Sequence, residues 1–137
     1  MISTISDATR EVCKLIDRQE NKKLGVILDS NKGRYKLAYL FNEKQEREII
    51  LIVFKRAHFL SYSKQFNVDA GHGESINKED LDKAISRGIN RVFIVYNDGK
   101  IYMIHQKIIT SQAFVRKTDN EGKETYSFDI KLLTRFN

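Results

Sequence analysis

Ile49-Ile50-Leu51-Ile52-Val53 is the most apolar run in the chain, and it leads without a break into Phe54-Lys55-Arg56-Ala57-His58-Phe59-Leu60-Ser61-Tyr62-Ser63-Lys64-Gln65-Phe66. A short, continuous, β-branched run reads as a strand covered on both faces. Between Glu48 and Asp69 there is no acidic residue, only Lys55, Arg56, His58 and Lys64 set among aromatics. A buried strand therefore delivers its end into a cationic, aromatic-studded segment. Such a segment suits a nucleic acid, with phosphates on Lys55, Arg56 and Lys64 and a base stacked on Tyr62. It equally suits a strand exit in which Phe54, Phe59 and Phe66 are core and the cations are simply solvated.

Upstream, two further strands precede the apolar run. Val26 to Asp29, opened by Gly25, is separated by the turn Ser30-Asn31-Lys32-Gly33 from Arg34 to Phe41, where Tyr35, Leu37, Tyr39 and Phe41 alternate with Lys36, Ala38 and Leu40. The polar stretch Asn42 to Arg47 then leads into Glu48. Short connections make these three strands an antiparallel meander. Folding the chain at both turns sets Asp29 and Lys55 opposite Arg34, and Phe41 opposite Glu48. Directly opposed residues share a face, so Asp29, Arg34 and Lys55 are expected as a charged row. Ahead of the meander, Ile5, Ala8, Val12, Leu15 and Ile16 recur at helical spacing, with Ser6 or Thr4 as N-cap of a helix over Asp7–Lys22.

Downstream, Asp69-Ala70-Gly71-His72-Gly73-Glu74-Ser75 reads as a glycine-rich loop. Asn77 caps a helix over Lys78–Arg87, with Glu79 and Asp80 in its first turn and Gly88 past its end. Arg91 to Tyr96 is a second unbroken apolar strand, and Asn97-Asp98-Gly99-Lys100 turns it into Ile101 to His105. Two buried strands joined through a helix imply a crossover that sets 91–96 parallel to 48–54 and beside it. A helical turn over Ile108–Ala113, a hairpin of 114–117 with 125–130, and docking by Leu132, Leu133 and Phe136 complete the chain. The expectation is an α/β fold: a mixed central sheet with a helix, a three-strand antiparallel meander, a crossover helix, further strands and a C-terminal hairpin. Length fits a single domain over residues 1–137.

Composition sets the outer bounds. Of 137 residues, 41% are hydrophobic and 31% charged, proline is absent, and the net charge is +6. That excess is shared, with 13 basic against 10 acidic residues in 1–76 and 11 against 8 in 77–137, so a polyanion-binding face has to be assembled by folding. Cys13, the single cysteine, permits no internal disulfide and reads as a small core residue rather than a nucleophile. No apolar run approaches the ~20 residues of a membrane span, and Met1-Ile2-Ser3-Thr4 lacks a signal-peptide pattern. The expected location is cytoplasmic, with no membrane partner. His58, His72 and His105 are too scattered for metal-ligand spacing, although His72 between Asp69 and Glu74 offers a general acid/base on a loop. No phosphate-binding glycine loop is present.

The order helix, three-strand meander, helix, strand resembles the core of the restriction-endonuclease-like superfamily, the PD-(D/E)XK nucleases. The likeness covers residues 7–105, leaving 106–137 as an extension, and includes an apolar third strand ending in Lys55. The resemblance implies a DNA- or RNA-binding protein and, where catalysis is retained, a magnesium-dependent hydrolase in which carboxylates on the meander hold the ion beside Lys55. The chain departs from the pattern where the family places its second acid, which here is Val53. Asp29 and Glu48 are the meander carboxylates left to act with Lys55, and the 69–74 loop is the other source. Glu48 lies about 23 Å along the strand from Lys55 at ~3.3 Å per residue, and on the opposite face. The expected nucleic-acid contacts are Arg34, Lys36, Lys55, Arg56, Tyr62 and Lys64. The alternative is an interaction subunit or a homodimer that uses an unguarded sheet edge, in which case the row Asp29–Arg34–Lys55 is a surface ion-pair row.

Overall fold

A computed structural model describes residues 2–31, 33–56, 73–117 and 122–137 of the chain. Helix α1 (Ile5–Glu20) is followed by β1 (Lys23–Asn31), β2 (Tyr35–Phe41) and β3 (Arg47–Lys55), then β4 (Gly73–Asn77) and helix α2 (Lys78–Ser86). Next come β5 (Arg91–Tyr96), β6 (Ile101–His105), helix α3 (Gln106–Gln112), β7 (Phe114–Lys117), β8 (Glu124–Asp129), a 3₁₀ turn (Ile130–Leu132) and β9 (Thr134–Arg135). The strands form a mixed six-stranded sheet, β1-β2-β3-β5-β6-β9, and an antiparallel three-stranded sheet, β4-β8-β7. The fold is α/β with a mixed central sheet, as the periodicities require. Among the described residues no helix is long and apolar enough to cross a membrane.

Helix α1 starts and ends two residues earlier than the expected span of Asp7–Lys22. Thr4, not Ser6, is the cap: its Oγ1 accepts from the Asp7 amide at 3.1 Å, and the Asp7 carboxylate accepts from the Ser3 amide at 3.3 Å. Asn21, in the left-handed region at φ 56°, ends it. The stripe Ile5, Ala8, Val12 and Ile16 covers one face of the large sheet, against Ala38, Leu40, Ile50, Ile52, Phe54 and Phe93. Leu37, Leu51, Val53, Val92 and Ile94 form the other face, covered by Leu81 and Ala84 of α2, Ile109 of α3 and Phe128 of β8. Both faces of β3 and β5 are covered, which is why these two strands are apolar without alternation. They are parallel and adjacent, with Ile50 opposite Arg91 and Lys55 opposite Tyr96. The C-terminal segment docks as expected: Phe136 meets Phe93 edge-on at 4.9 Å, and Leu132 and Leu133 pack on the α2 side.

Two features depart from the sequence reading. Gly73–Asn77 is a strand rather than loop, and it joins the C-terminal hairpin into a second sheet. The meander register also differs. Phe41 faces Arg47, not Glu48, because the Asn42 carboxamide accepts from the amides of Lys44 (3.1 Å) and Glu46 (2.9 Å) and closes the turn over residues 42–46. At the β1–β2 turn the Arg34 amide donates to the Asn31 carbonyl at 3.0 Å and Asn31 already faces Tyr35, so Asp29 faces Leu37; bulges between Ile27 and Asp29 and between Leu24 and Val26 then each shift the pairing by one residue toward the Lys23 end. The charged row Asp29–Arg34–Lys55 therefore does not form. A slip of one residue exchanges the faces of every side chain beyond it.

Candidate nucleic-acid interface

Parallel strands in an open sheet present their C-terminal ends as the usual place for a ligand. Here β3 and β5 end together at Lys55 and Tyr96, and both long helices begin at this end. The Ile2 amide donates to the Asn97 carbonyl just past β5, placing the start of α1 there, while β4 feeds directly into the cap of α2 at Asn77.

Lys55 lies on the α2 side of the sheet. Its ammonium donates to the Ser75 carbonyl at 2.7 Å and meets Glu74 Oε1 at 3.2 Å. Glu74 is buried; Oε1 also accepts from the Ser75 amide at 2.8 Å, and Oε2 accepts from the Tyr96 hydroxyl. Burial, and then the Glu74 charge and hydrogen bond, push the Tyr96 phenol well above its ordinary pKa, so it stays a donor. Lys55, Glu74 and Tyr96 thus form a closed unit that joins the ends of β3 and β5 to β4. Glu74 belongs to the loop the sequence offers as a carboxylate source. Its strand is five residues long and begins at a glycine, so no apolar alternation reports its inward direction.

The other expected residues are dispersed. Arg34 reaches Asp80 Oδ1 at 3.0 Å, and the Asn77 side chain accepts from the Asp80 amide as the α2 cap. Burial raises the Asp80 carboxyl despite Arg34, because Arg34 is half exposed and water screens its charge. Asp29 accepts from the Tyr35 hydroxyl at 3.2 Å and from the Ser30 amide at 2.8 Å, and its register partner Leu37 pairs with Leu51, four residues short of Lys55. Burial first, then Asp29, raises the Tyr35 phenol. Glu48 lies at the far end of β3 and on the α1 face, where Arg91 holds it with two bonds of 2.6 Å and Lys22 adds one of 3.2 Å. Glu20 grips the same guanidinium at 2.7 and 2.8 Å. Glu48 and Asp29 do not gather around Lys55; Glu48 is a structural anchor between α1, β3 and β5.

Lys36 and Arg56 point to the first turn of α1. The Lys36 ammonium donates to Ser6 Oγ at 3.2 Å; Arg56 donates to the Ser3 carbonyl at 3.3 Å, with its guanidinium 5.7 Å from the Phe54 ring centre. Tyr62, Lys64, His58, His72 and Asp69 lie outside the described residues. His105 accepts from the Lys107 amide through Nδ1 and caps α3.

A cavity of about 130 Å³ opens between these groups, lined by Arg34, Tyr35, Lys55, Asn77 and Asp80 over a floor that includes Val53. At ~30 Å³ each it has room for about four waters. The acids around it do not fit a magnesium site. Glu74 is held by Lys55 and Tyr96, Asp80 by Arg34, and Asp29 by Tyr35, and among the described residues no three acidic, His or Cys groups converge. No protein family, curated protein or solved structure matches the chain.

Proposed function

We propose that this protein binds nucleic acid through the end of the large sheet where β3 and β5 terminate, and that it engages the phosphate backbone there. Lys36 and Arg56 carry the reading. Their described partners are neutral oxygens, Ser6 Oγ and the Ser3 carbonyl, and neither lies within 4 Å of a described carboxylate, so both retain their full charge. Two helices of 16 and 9 residues start at this end and add the partial positive charge of their N-termini. Arg34, half exposed, stands at the rim and can exchange Asp80 for a phosphate. Binding is favoured over cleavage because Glu74, Asp80 and Asp29, the acids around the cavity, are already held by Lys55 and Tyr96, by Arg34 and by Tyr35. Polar groups that meet phosphates position a strand without reading its sequence, so weak sequence preference is expected.

The test is fluorescence anisotropy with labelled single- and double-stranded DNA and RNA in EDTA, over a range of salt. Affinity should fall steeply with salt. Lys36→Ala with Arg56→Ala should weaken every oligonucleotide alike and reduce the log–log salt slope by roughly 1–2, at ~0.9 for each duplex phosphate released and ~0.7 for each single-strand phosphate. Absence of binding at low salt, or binding untouched by the double variant, overturns the proposal.

A further inference from the structure

The large sheet ends on one side in β9, two residues long, and on the other in β1, nine residues long, with no described strand hydrogen-bonded to its outer edge. A long open edge invites another strand, and the chain has no proline to block it. Apolar side chains are exposed along it: Leu24 at 40%, Val26 at 51% and, beside it on β2, Phe41 at 42%. The two bulges give this edge a specific pattern. Lys23, Val26 and Asp29 pair with Phe41, Tyr39 and Leu37, which are alternate residues of β2, so all three occupy one face although they are three residues apart. The row reads cation, apolar, anion, and it is symmetric about Val26.

An antiparallel copy of the same strand, centred on Val26, brings Lys23 opposite the second copy's Asp29 twice and buries the two valines against each other. We propose that β1 pairs with β1 of a second copy of this chain about an axis at Val26, extending the sheet across a homodimer. Such an interface is isologous, the same patch meeting itself, which a self-complementary row satisfies. Lys23 is exposed and has no described ion pair, leaving its ammonium available, while Asp29 is held in place by the Tyr35 hydroxyl. This surface is the lateral edge of the sheet, separate from the end proposed for nucleic acid, and its test does not involve nucleic acid.

Sedimentation velocity and light scattering over a concentration series read the oligomer directly. The unmodified chain should shift from monomer to dimer as concentration rises. Val26→Lys sets two ammonium groups together at the axis and should leave a folded monomer, since Val26 is half exposed. Lys23→Asp and Asp29→Lys each replace two attractions with two repulsions and should weaken the dimer by roughly tenfold. An equimolar mixture of those two variants restores both opposite-charge pairs and should recover the dimer as a heterodimer. A chain that stays monomeric at the highest concentration, a dimer unaffected by Val26→Lys, or a mixture that fails to recover overturns the proposal.

Discussion

Glu48 provides the sharpest test of whether the acids of the meander serve chemistry or architecture. Its side chain is 5% exposed and the Arg91 side chain 13%, with Arg91 clamped by Glu48 on β3 and Glu20 at the end of α1. Glu48→Gln keeps the volume and removes the charge. Breaking a buried ion pair costs about 3–5 kcal/mol, and because Arg91 retains Glu20 we place the loss at the lower end, about 3 kcal/mol. For a chain of this length that corresponds to a fall in Tm of about 10 °C.

The pH dependence gives a second reading of the same pair. Burial alone would raise the Glu48 carboxyl, but the bonds and charge of Arg91, and then of Lys22, outweigh it and hold the group below its ordinary range. A carboxyl whose folded pKa is depressed contributes stability that is complete above its unfolded value, about 4.3, and is lost as pH falls through the folded value. Urea unfolding of both proteins at pH 7, 5 and 4 should therefore show a gap that is full at pH 7 and 5 and begins to close at pH 4. Oligonucleotide binding at low temperature, where both chains are folded, should be unchanged. A variant within about 0.5 kcal/mol of the parent at pH 7, the range of ordinary surface substitutions, refutes the anchor. So does a stable variant that selectively loses nucleic-acid binding.

Lys55→Met retains the aliphatic stem and removes the ammonium from Glu74, leaving a buried carboxylate with only the Tyr96 hydroxyl and the Ser75 amide. The expected loss is about 2–3 kcal/mol at pH 7 by urea unfolding; a neutral result would mean the ammonium is not holding β4 to β3. At Gly25 an added Cβ would stand 2.9 Å from Cδ1 of Tyr39 and 3.1 Å from Cδ1 of Phe41. Gly25→Ala should therefore cost about 1–2 kcal/mol by forcing those rings aside, and a stabilised variant would show that the bulge yields without strain. Burial pushes the Cys13 thiol above its ordinary pKa, so it should react slowly with a disulfide reagent at pH 7 in the native protein and rapidly in urea. Equal rates would place the thiol outside the α1 interface.

The elements were readable where one physical cause dominates. The stripe of α1, the two-sided burial of β3 and β5, and the Asn77 cap of α2 each write one period or one cap into the chain, and the structure follows them. Register was not readable, because it is set by side chains that do not advertise it. The Asn42 carboxamide shortens one turn, and two bulges in β1 absorb Gly25 and Leu28 into an otherwise ordinary strand. Strand β4 was hidden for a similar reason: its partner β8 lies about fifty residues downstream, and no local pattern reports a pairing over that distance.

The slip in register decides what the end of the sheet can offer. Had Asp29, Arg34 and Lys55 formed one row, one carboxylate would have been shared between two cations. Instead each charge finds its own partner: Lys55 takes Glu74 from β4, Arg34 takes Asp80 from α2, and Asp29 takes the hydroxyl of Tyr35. Lys55 is thereby turned inward, to hold a strand in place, although its position at the end of an apolar strand marks it as the obvious reactive group. Among the described residues of this end, Lys36 and Arg56 have no carboxylate within 4 Å, and their contacts with Ser6 and Ser3 bring these two residues, from different points of the meander, to one side of the sheet. In the proposed binding mode an anion meets their charged heads at the start of α1, while the Lys55–Glu74–Tyr96 unit on the opposite, α2 face of the sheet ties β4 to the ends of β3 and β5. That division between a mutually neutralised triad and the Lys36–Arg56 rim is what the proposed phosphate binding without catalysis rests on.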